Sequence, residues 1–157
     1  MKLLSKAFNQ GEVIPSKYSY EEGNISPPLE WSSLPKNTKS LALILEDPDA
    51  PMFSWTHWIV YNIPITQTDL PEGIPPEKEV NGIKQGINSW KKNGYGGPCP
   101  PWGTHRYVFK LYALDTELEI DPEAPKSELI NQIKNHAISE AKLVGKYKSH
   151  YDKCFTR

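Results

Sequence analysis

The sequence is poor in cysteine and has no long apolar run, and each absence excludes a class of protein. Its two cysteines, Cys99 and Cys154, lie in unrelated contexts and lack the paired spacing of a zinc site. We expect neither a disulfide framework nor a metal, which favours a reducing cytoplasm. No stretch approaches the roughly 20 apolar residues that cross a bilayer, and residues 1–6 turn polar too early for a signal peptide. We therefore expect a cytoplasmic protein that does not span a membrane.

The chain also lacks an excess of charge of either sign. It contains 18 Lys and Arg against 19 Asp and Glu, which gives a formal net charge of -1 at pH 7. A chain so close to neutrality has no electrostatic reason to bind a polyanion, so nucleic acid is not an expected partner. Neither a P-loop nor a dinucleotide-binding glycine fingerprint is present. We expect no nucleotide cradle of a familiar kind and no cofactor.

Proline, glycine and aromatic residues are plentiful, and together they indicate the fold class. The chain has 15 prolines, 10 glycines, 5 tryptophans and 8 tyrosines. Aromatic residues argue against disorder while prolines interrupt helices, so we expect ordered loops between short strands and a mainly β fold. The 157 residues suit one domain, residues 1–157, in which we expect the tail at 148–157 to be mobile.

Three apolar runs predict the central strands of a sheet. Residues 40–46 show no alternation and are apolar between their ends, as expected of a strand covered on both faces. Residues 56–63 form the second run. Residues 106–114 form the third, and there the two faces alternate, so that His105 starts an otherwise apolar row that includes Tyr107.

Shorter strands are predicted outside this centre. A first strand is expected at residues 3–8 and a short one near residues 83–87. Residues 24–31 should be extended, because a residue before proline is pushed out of the helical region. Proline cannot donate to a sheet ladder, so this segment is expected at a sheet edge.

One helix is predicted near the C-terminus. Apolar residues recur at helical spacing across residues 129–141, with Pro125 or Ser127 near the start and Gly145 beyond the end. The pattern favours one amphipathic helix at the periphery. Whether residues 143–147 continue this helix or form a last strand is left open by the sequence.

Polar side chains stand at the ends of the three central runs. Asp47 follows the first, His57 lies within the second and His105 opens the third. Trp55 projects to the same face as His57, and Tyr107 lies about 7 Å along the strand from His105. If the three strands are neighbours, these side chains form one pocket suited to a small polar ligand.

Each of these residues also has a purely structural interpretation. A single histidine on an apolar strand is more often a hydrogen-bonded core residue, and Asp47 could form an Asx turn. The convergence of the residues, together with the loop at residues 94–104, favours function. Glycines in that loop would let backbone N–H groups approach an anion, and its prolines would hold the loop rigid.

Several segments resemble the phosphatidylethanolamine-binding protein family, in its bacterial and archaeal branch of Raf-kinase-inhibitor-like proteins. The resemblance is carried by DPDAP at residues 47–51, by Trp55-Thr56-His57 and by GPCPPWGTHRY at residues 97–107. Further matches lie at residues 25–31, 61–64, 112–115 and 143–147. The matching segments extend from about Gly11 to Tyr147, so nearly the whole chain is covered.

The resemblance implies a β-sandwich-like fold with a large central antiparallel sheet, a smaller sheet and a peripheral C-terminal helix. It implies a non-enzymatic binding protein, with a pocket for phosphate-like anions or phospholipid head groups and with cis peptides around residues 47–51. In this pocket two histidines and a tyrosine hydroxyl would donate to an oxyanion, loop N–H groups would complete the shell, and the aspartate would orient one imidazole. The residues that match the family pocket are Asp47, Trp55, His57, Gly97, Pro100, His105 and Tyr107.

Other functions fit some of the same features. Two histidines and one aspartate are a common ligand set of metal-dependent hydrolases, although the helical spacing of zinc motifs is absent. Family members also inhibit kinases or serine proteases, so a protein target is a second expectation. A homodimer is a third, by resemblance to bacterial relatives.

Overall fold

The computed structural model describes residues 1–149 of the chain. Most of the tail that the sequence predicts to be mobile, residues 150–157 with Cys154, lies outside the described residues. Lys148 ends the last strand. The Ser149 hydroxyl donates to the buried carboxylate of Glu21 at 2.8 Å, so the start of the tail is part of the folded domain.

Two antiparallel sheets and one α-helix make up the described chain, which confirms the predicted fold class. The larger sheet has the strand order β6-β7-β4-β3-β8-β9 and the smaller sheet the order β1-β2-β5. The elements are β1 Lys2–Leu4, β2 Leu29–Ser32, β3 Ser40–Asp47, β4 Trp55–Ile63, β5 Asp69–Leu70, β6 Glu79–Val80, β7 Ile83–Gln85, β8 Thr104–Leu114, α1 Lys126–His136 and β9 Ala137–Lys148.

The three apolar runs are neighbouring strands at the centre of the larger sheet. Strand β3 lies between β4 and β8, and Leu43 faces Val60 on one side and Leu111 on the other. Every residue of β3 except Glu46 is buried, because the sheet is covered on both faces. Strand β8 alternates as predicted, with the row from His105 to Ala113 buried and Arg106 exposed.

The smaller sheet packs on one face of the larger one. Its apolar residues Leu3, Leu29 and Trp31 join the buried row of β3 and β8 in a single core. The prediction that residues 24–31 form a sheet edge is wrong, because β2 lies between β1 and β5. Both prolines precede this strand, so they remove no donor from its ladder.

The first strand is shorter than predicted. It ends at Leu4 rather than continuing to residue 8. The Ser5 hydroxyl accepts the N–H of Ala7 at 3.1 Å, a local turn that competes with strand pairing.

The helix covers the other face of the larger sheet but is shorter than predicted. Leu129 and Ile133 of α1 are fully buried in a second core with Ile44 and Ile59. The helix ends at His136 and strand β9 follows directly, so the predicted continuation to residue 141 is wrong. The open question about residues 143–147 is thereby answered in favour of a strand.

Pairing with β8 explains why this segment is a strand. Alternate residues of β9 (Ala141, Leu143 and Tyr147) are buried, and the strand pairs with β8 along almost its whole length. The apolar residues of this segment also fit a helix over a few residues. Pairing with β8 decides for a strand, because it supplies hydrogen-bond partners for the backbone N–H and C=O groups along one side of β9.

Two findings bear on location. Within residues 1–149, no helix has the length and apolar character to span a membrane. Cys99 is disulfide-bonded, contrary to the prediction from the sequence. The one other cysteine of the chain, Cys154, lies outside the described residues. The cytoplasmic location stays a prediction.

Candidate functional site

The predicted site residues meet at one end of the larger sheet. Asp47 ends β3 and pairs with Trp55, the first residue of β4. Glu46 pairs with Val108, so the start of β8 with His105 lies beside the end of β3. Antiparallel pairing of three neighbouring strands therefore brings residues from distant parts of the chain to a common edge.

Asp47 and His105 form a buried pair at the centre of this edge. Nδ1 of His105 lies 2.7 Å from Oδ2 of Asp47, and the side chain of Asp47 is completely buried. The other carboxylate oxygen of Asp47 accepts the N–H of Asp49 at 2.9 Å. The two interpretations offered by the sequence are therefore both correct, since one carboxylate forms an Asx turn and also orients an imidazole.

His57 is fixed by the glycine-rich loop rather than by an acid. Its Nδ1 lies 2.7 Å from the carbonyl oxygen of Gly96, and the N–H of Gly96 donates to the carbonyl of His57 at 2.9 Å. The ring of Tyr107 meets the His57 ring edge to face, with centroids 5.2 Å apart. His57 and Tyr107 are fully buried, which places them in a weakly screened environment.

Trp90 is a site residue that the motif analysis missed. Its ring lies 5.0 Å from that of His57 and 5.6 Å from that of Trp55, while Tyr20 stacks on it at 4.8 Å. It belongs to the long segment at 66–104, whose aromatic content the sequence already associated with function. A tryptophan among turn residues was the available signal, but its neighbours are set by the tertiary fold.

A cavity of about 210 Å³ lies beside Trp90. It shares Trp90 and Gly96 with the surroundings of His57. Tyr20, Asn24 and Lys92 also line it, so its walls are partly polar.

Gly97 has a packing role. A Cβ at this position would lie 2.1 Å from the carbonyl oxygen of Tyr18, which no side chain could accommodate. Its N–H donates to the Asn24 side chain at 2.8 Å, and the Gly96 N–H is also engaged. The prediction that loop N–H groups complete an anion shell is therefore wrong for these two glycines. Pro100 is buried in the same loop, and its ligand contact stays a prediction of the resemblance.

A charged clamp, formed by Asp49 and Arg106, joins the loop after β3 to strand β8 at the rim of the site. The guanidinium of Arg106 donates to both carboxylate oxygens of Asp49 at 2.8 and 2.9 Å, and its backbone N–H donates to Oδ2 at 2.8 Å. Side-chain hydrogen bonds from Arg106 lower the pKa of Asp49 to about 2. The cis peptides expected around residues 47–51 are not found, since every described peptide bond is trans.

Among residues 1–149, no group of three or more His, Cys, Asp and Glu side chains is arranged to hold a metal ion. Asp47 and His105 are a pair, and His57 has a backbone carbonyl at its Nδ1.

Fold and site together define a mainly β domain in which buried histidines and aromatic side chains meet at one end of the central sheet. The family model "Phosphatidylethanolamine-binding protein" matches residues 4–148. The chain belongs to the phosphatidylethanolamine-binding protein family, as the sequence motifs predicted.

Similar proteins come from archaea and bacteria. A UPF0098 protein of Methanothermobacter thermautotrophicus is 48% identical over 149 residues, covering 94% of this chain and 99% of that protein. One from Aquifex aeolicus is 44% identical, covering 94% of this chain and 88% of its own length.

Two solved structures have the same fold. A phosphatidylethanolamine-binding protein homologue from Chlamydia trachomatis has a TM-score of 0.85 and 41% identity, with 94% of this chain and 97% of that one covered. Escherichia coli YbcL, described as a member of the mammalian family, has a TM-score of 0.88 and 34% identity, covering 94% and 98% of the two chains.

Proposed function

We propose that the protein binds phosphate-like anions, free or as a phospholipid head group, between His57, His105 and Tyr107. Family membership supports a binding role. The observation that carries the finer proposal is the buried Asp47–His105 pair, with its 2.7 Å hydrogen bond. A carboxylate that holds Nδ1 fixes the ring so that Nε2 is the nitrogen directed at a ligand.

The pair gives His105 the chemistry of an anion receptor. When Nδ1 donates to a carboxylate, Nε2 is an acceptor in the neutral ring and a donor in the protonated ring. An anion at Nε2 would accept a charge-assisted hydrogen bond from the protonated ring.

The other site residues supply a second donor and exclude water. Nδ1 of His57 is oriented by the Gly96 carbonyl, so the same argument assigns its Nε2 to the ligand. The hydroxyl of Tyr107 would be a neutral donor on the same strand face as His105. The rings of Trp55 and Trp90 lower the local dielectric, which strengthens each polar contact.

We further propose that this is a binding protein and not an enzyme. Among the contacts described for residues 1–149, the rings of His57 and His105 meet a backbone carbonyl and a carboxylate at Nδ1, and neither contact involves a nucleophile. Inhibition of a kinase or serine protease stays a prediction of the resemblance.

Titration calorimetry with inorganic phosphate and with phosphoethanolamine, below neutral pH, tests the proposal. His105→Ala should weaken binding of both ligands roughly tenfold or more, the cost of one charge-assisted hydrogen bond. The matched control is His136→Ala, because His136 also pairs with an aspartate, Asp115 at 2.9 Å, but on the exposed surface. Unchanged affinity in the His105 variant, or no binding by the wild type, would reject the anion site.

A further inference from the structure

Three large apolar side chains are strongly exposed at the site end of the larger sheet. Met52 is 94% exposed and Phe53 70% exposed, both in the loop between β3 and β4. Trp102 is 63% exposed, in the loop before β8. Because β3 and β8 are antiparallel neighbours, the two loops leave the sheet side by side.

The first loop is tied to strand β8. Asp49 belongs to this loop and Arg106 is the third residue of β8, and their three hydrogen bonds measure 2.8 to 2.9 Å. The exposed side chains are therefore carried on a braced rim around the pocket.

Met52 occupies a backbone conformation that its side chain disfavours. Its φ angle is +72°, in the left-handed region where glycine and asparagine are the usual residues. A bulky apolar residue that is both strained and exposed contributes nothing to folding at this position. Such an outlier is better explained by a function of the side chain.

Exposed cations lie next to these loops. Lys148 pairs with Thr104 and Lys146 with Arg106, so all three basic side chains lie on the outer face of β8 and β9 near the rim. Both lysines are exposed, and no ion pair is found for either among the described residues. Apolar tips beside free cations are typical of proteins that bind the interface of an anionic bilayer.

We propose that this rim, formed by Met52, Phe53 and Trp102 with Lys146 and Lys148, docks the protein on the surface of an anionic phospholipid bilayer. The apolar tips enter the head-group region and the lysines contact acidic lipids. The inference rests on the proposed anion site, since docking places the pocket at the level of the phosphates. The three apolar side chains can bury at most roughly 500 Å² of surface. Each partner in a stable protein interface buries roughly 800 Å², so the smaller area favours a membrane over a second protein.

Vesicle sedimentation tests the docking surface. The probes are vesicles of phosphatidylcholine alone and of phosphatidylcholine with phosphatidylglycerol, each mixed with the full chain. Met52→Asn with Phe53→Ser should lower partitioning onto the acidic vesicles roughly tenfold or more, because two large side chains lose their burial. Asparagine tolerates positive φ, so this variant should be at least as stable as the wild type in thermal unfolding.

Matched controls lie at the opposite end of the sheet. Ile65 and Ile138 are 46% and 43% exposed, and Ile65→Ser and Ile138→Ser should leave partitioning unchanged. The blue shift of tryptophan emission on vesicles should disappear in Trp102→Phe. Equal partitioning of the wild type and the Met52/Phe53 variant would overturn the proposal, as would dimer formation through the rim in light scattering.

A solution assay separates failure of docking from failure of the anion site. Free phosphate should bind the Met52/Phe53 variant with wild-type affinity, because neither residue is in the pocket. Loss of vesicle binding with phosphate binding intact supports docking. If the wild type binds phosphate but does not bind vesicles, docking is rejected and the anion site is retained. If it binds vesicles but not phosphate, the anion site is rejected.

Discussion

Asp47 and His105, 58 residues apart in the chain, form a 2.7 Å hydrogen bond in the interior of the protein. The two carboxylate oxygens of Asp47 have separate partners. Oδ2 contacts Nδ1 of His105, and Oδ1 accepts the N–H of Asp49 and so stabilises the turn. Each oxygen of this buried carboxylate accepts from a different donor. An amide has only one acceptor oxygen, so replacing the carboxylate by an amide would remove one of the two hydrogen bonds.

Asp47→Asn should therefore weaken both stability and anion binding. We expect the free energy of unfolding to fall by about 2–4 kcal/mol, since a buried charged pair loses one partner. Phosphate affinity below neutral pH should fall roughly tenfold, because His105 loses the carboxylate that orients its ring. Denaturant unfolding and calorimetry measure the two effects. Asp115→Asn, in the exposed pair with His136, is the control and should change stability by less than about 0.5 kcal/mol.

Gly97→Ala should be far more damaging than an alanine elsewhere in the same loop. The added Cβ would lie 2.1 Å from the Tyr18 carbonyl, so backbone must move, and we expect a loss of about 3 kcal/mol or more. Gly103 has a φ of +70° and open space around it. Gly103→Ala should cost only the left-handed strain of about 1–2 kcal/mol. Similar unfolding midpoints for the two variants would contradict the packing role of Gly97.

Trp90 should support the pocket through the rings that it contacts. Trp90→Ala removes the partner of Tyr20, Trp55 and His57, and we expect a loss of about 2–4 kcal/mol in stability together with weaker phosphate binding. Trp90→Phe keeps an aromatic surface and should retain most of both. If phosphate affinity survives in the alanine variant, Trp90 is part of the core only.

The rim clamp should persist into strongly acidic solution. Arg106 lowers the pKa of Asp49 from 3.8 to about 2. The clamp therefore stabilises the folded protein fully at pH values above 3.8, and this stabilisation is lost as the pH falls through about 2. Carboxyl-carbon NMR should show Asp49 titrating near the lower value. In Arg106→Gln the titration midpoint of Asp49 should return toward 3.8. A midpoint of 3.8 in the wild type would exclude the clamp.

The apolar pattern of the sequence was sufficient to predict the centre of the fold and the edge of the sheet at which the polar side chains meet. Residues 40–46 are apolar on both faces, which only a central strand satisfies, and the polar groups at the strand ends then had to converge. The resemblance added Gly97 and Pro100. The Asp47–His105 contact shows that strand pairing, rather than sequence proximity, brings these two side chains together.

The wrong predictions concern features that depend on partners distant in the chain. Local spacing across residues 129–141 fits a helix, but pairing with β8 decides that β9 begins at Ala137. The loop N–H groups were predicted to face a ligand, and nothing local reveals that Asn24 accepts the N–H of Gly97. The contacts of Trp90 and the disulfide of Cys99 likewise arise only from the tertiary fold.

The requirement for both histidines tests the central claim most directly. Sulfate is the best probe, because its charge stays constant on both sides of neutral pH. In calorimetric titrations at one pH below neutrality, His57→Ala and His105→Ala should each weaken sulfate binding roughly tenfold or more, while both variants stay folded. Wild-type affinity in both variants would contradict an anion site built on His57 and His105.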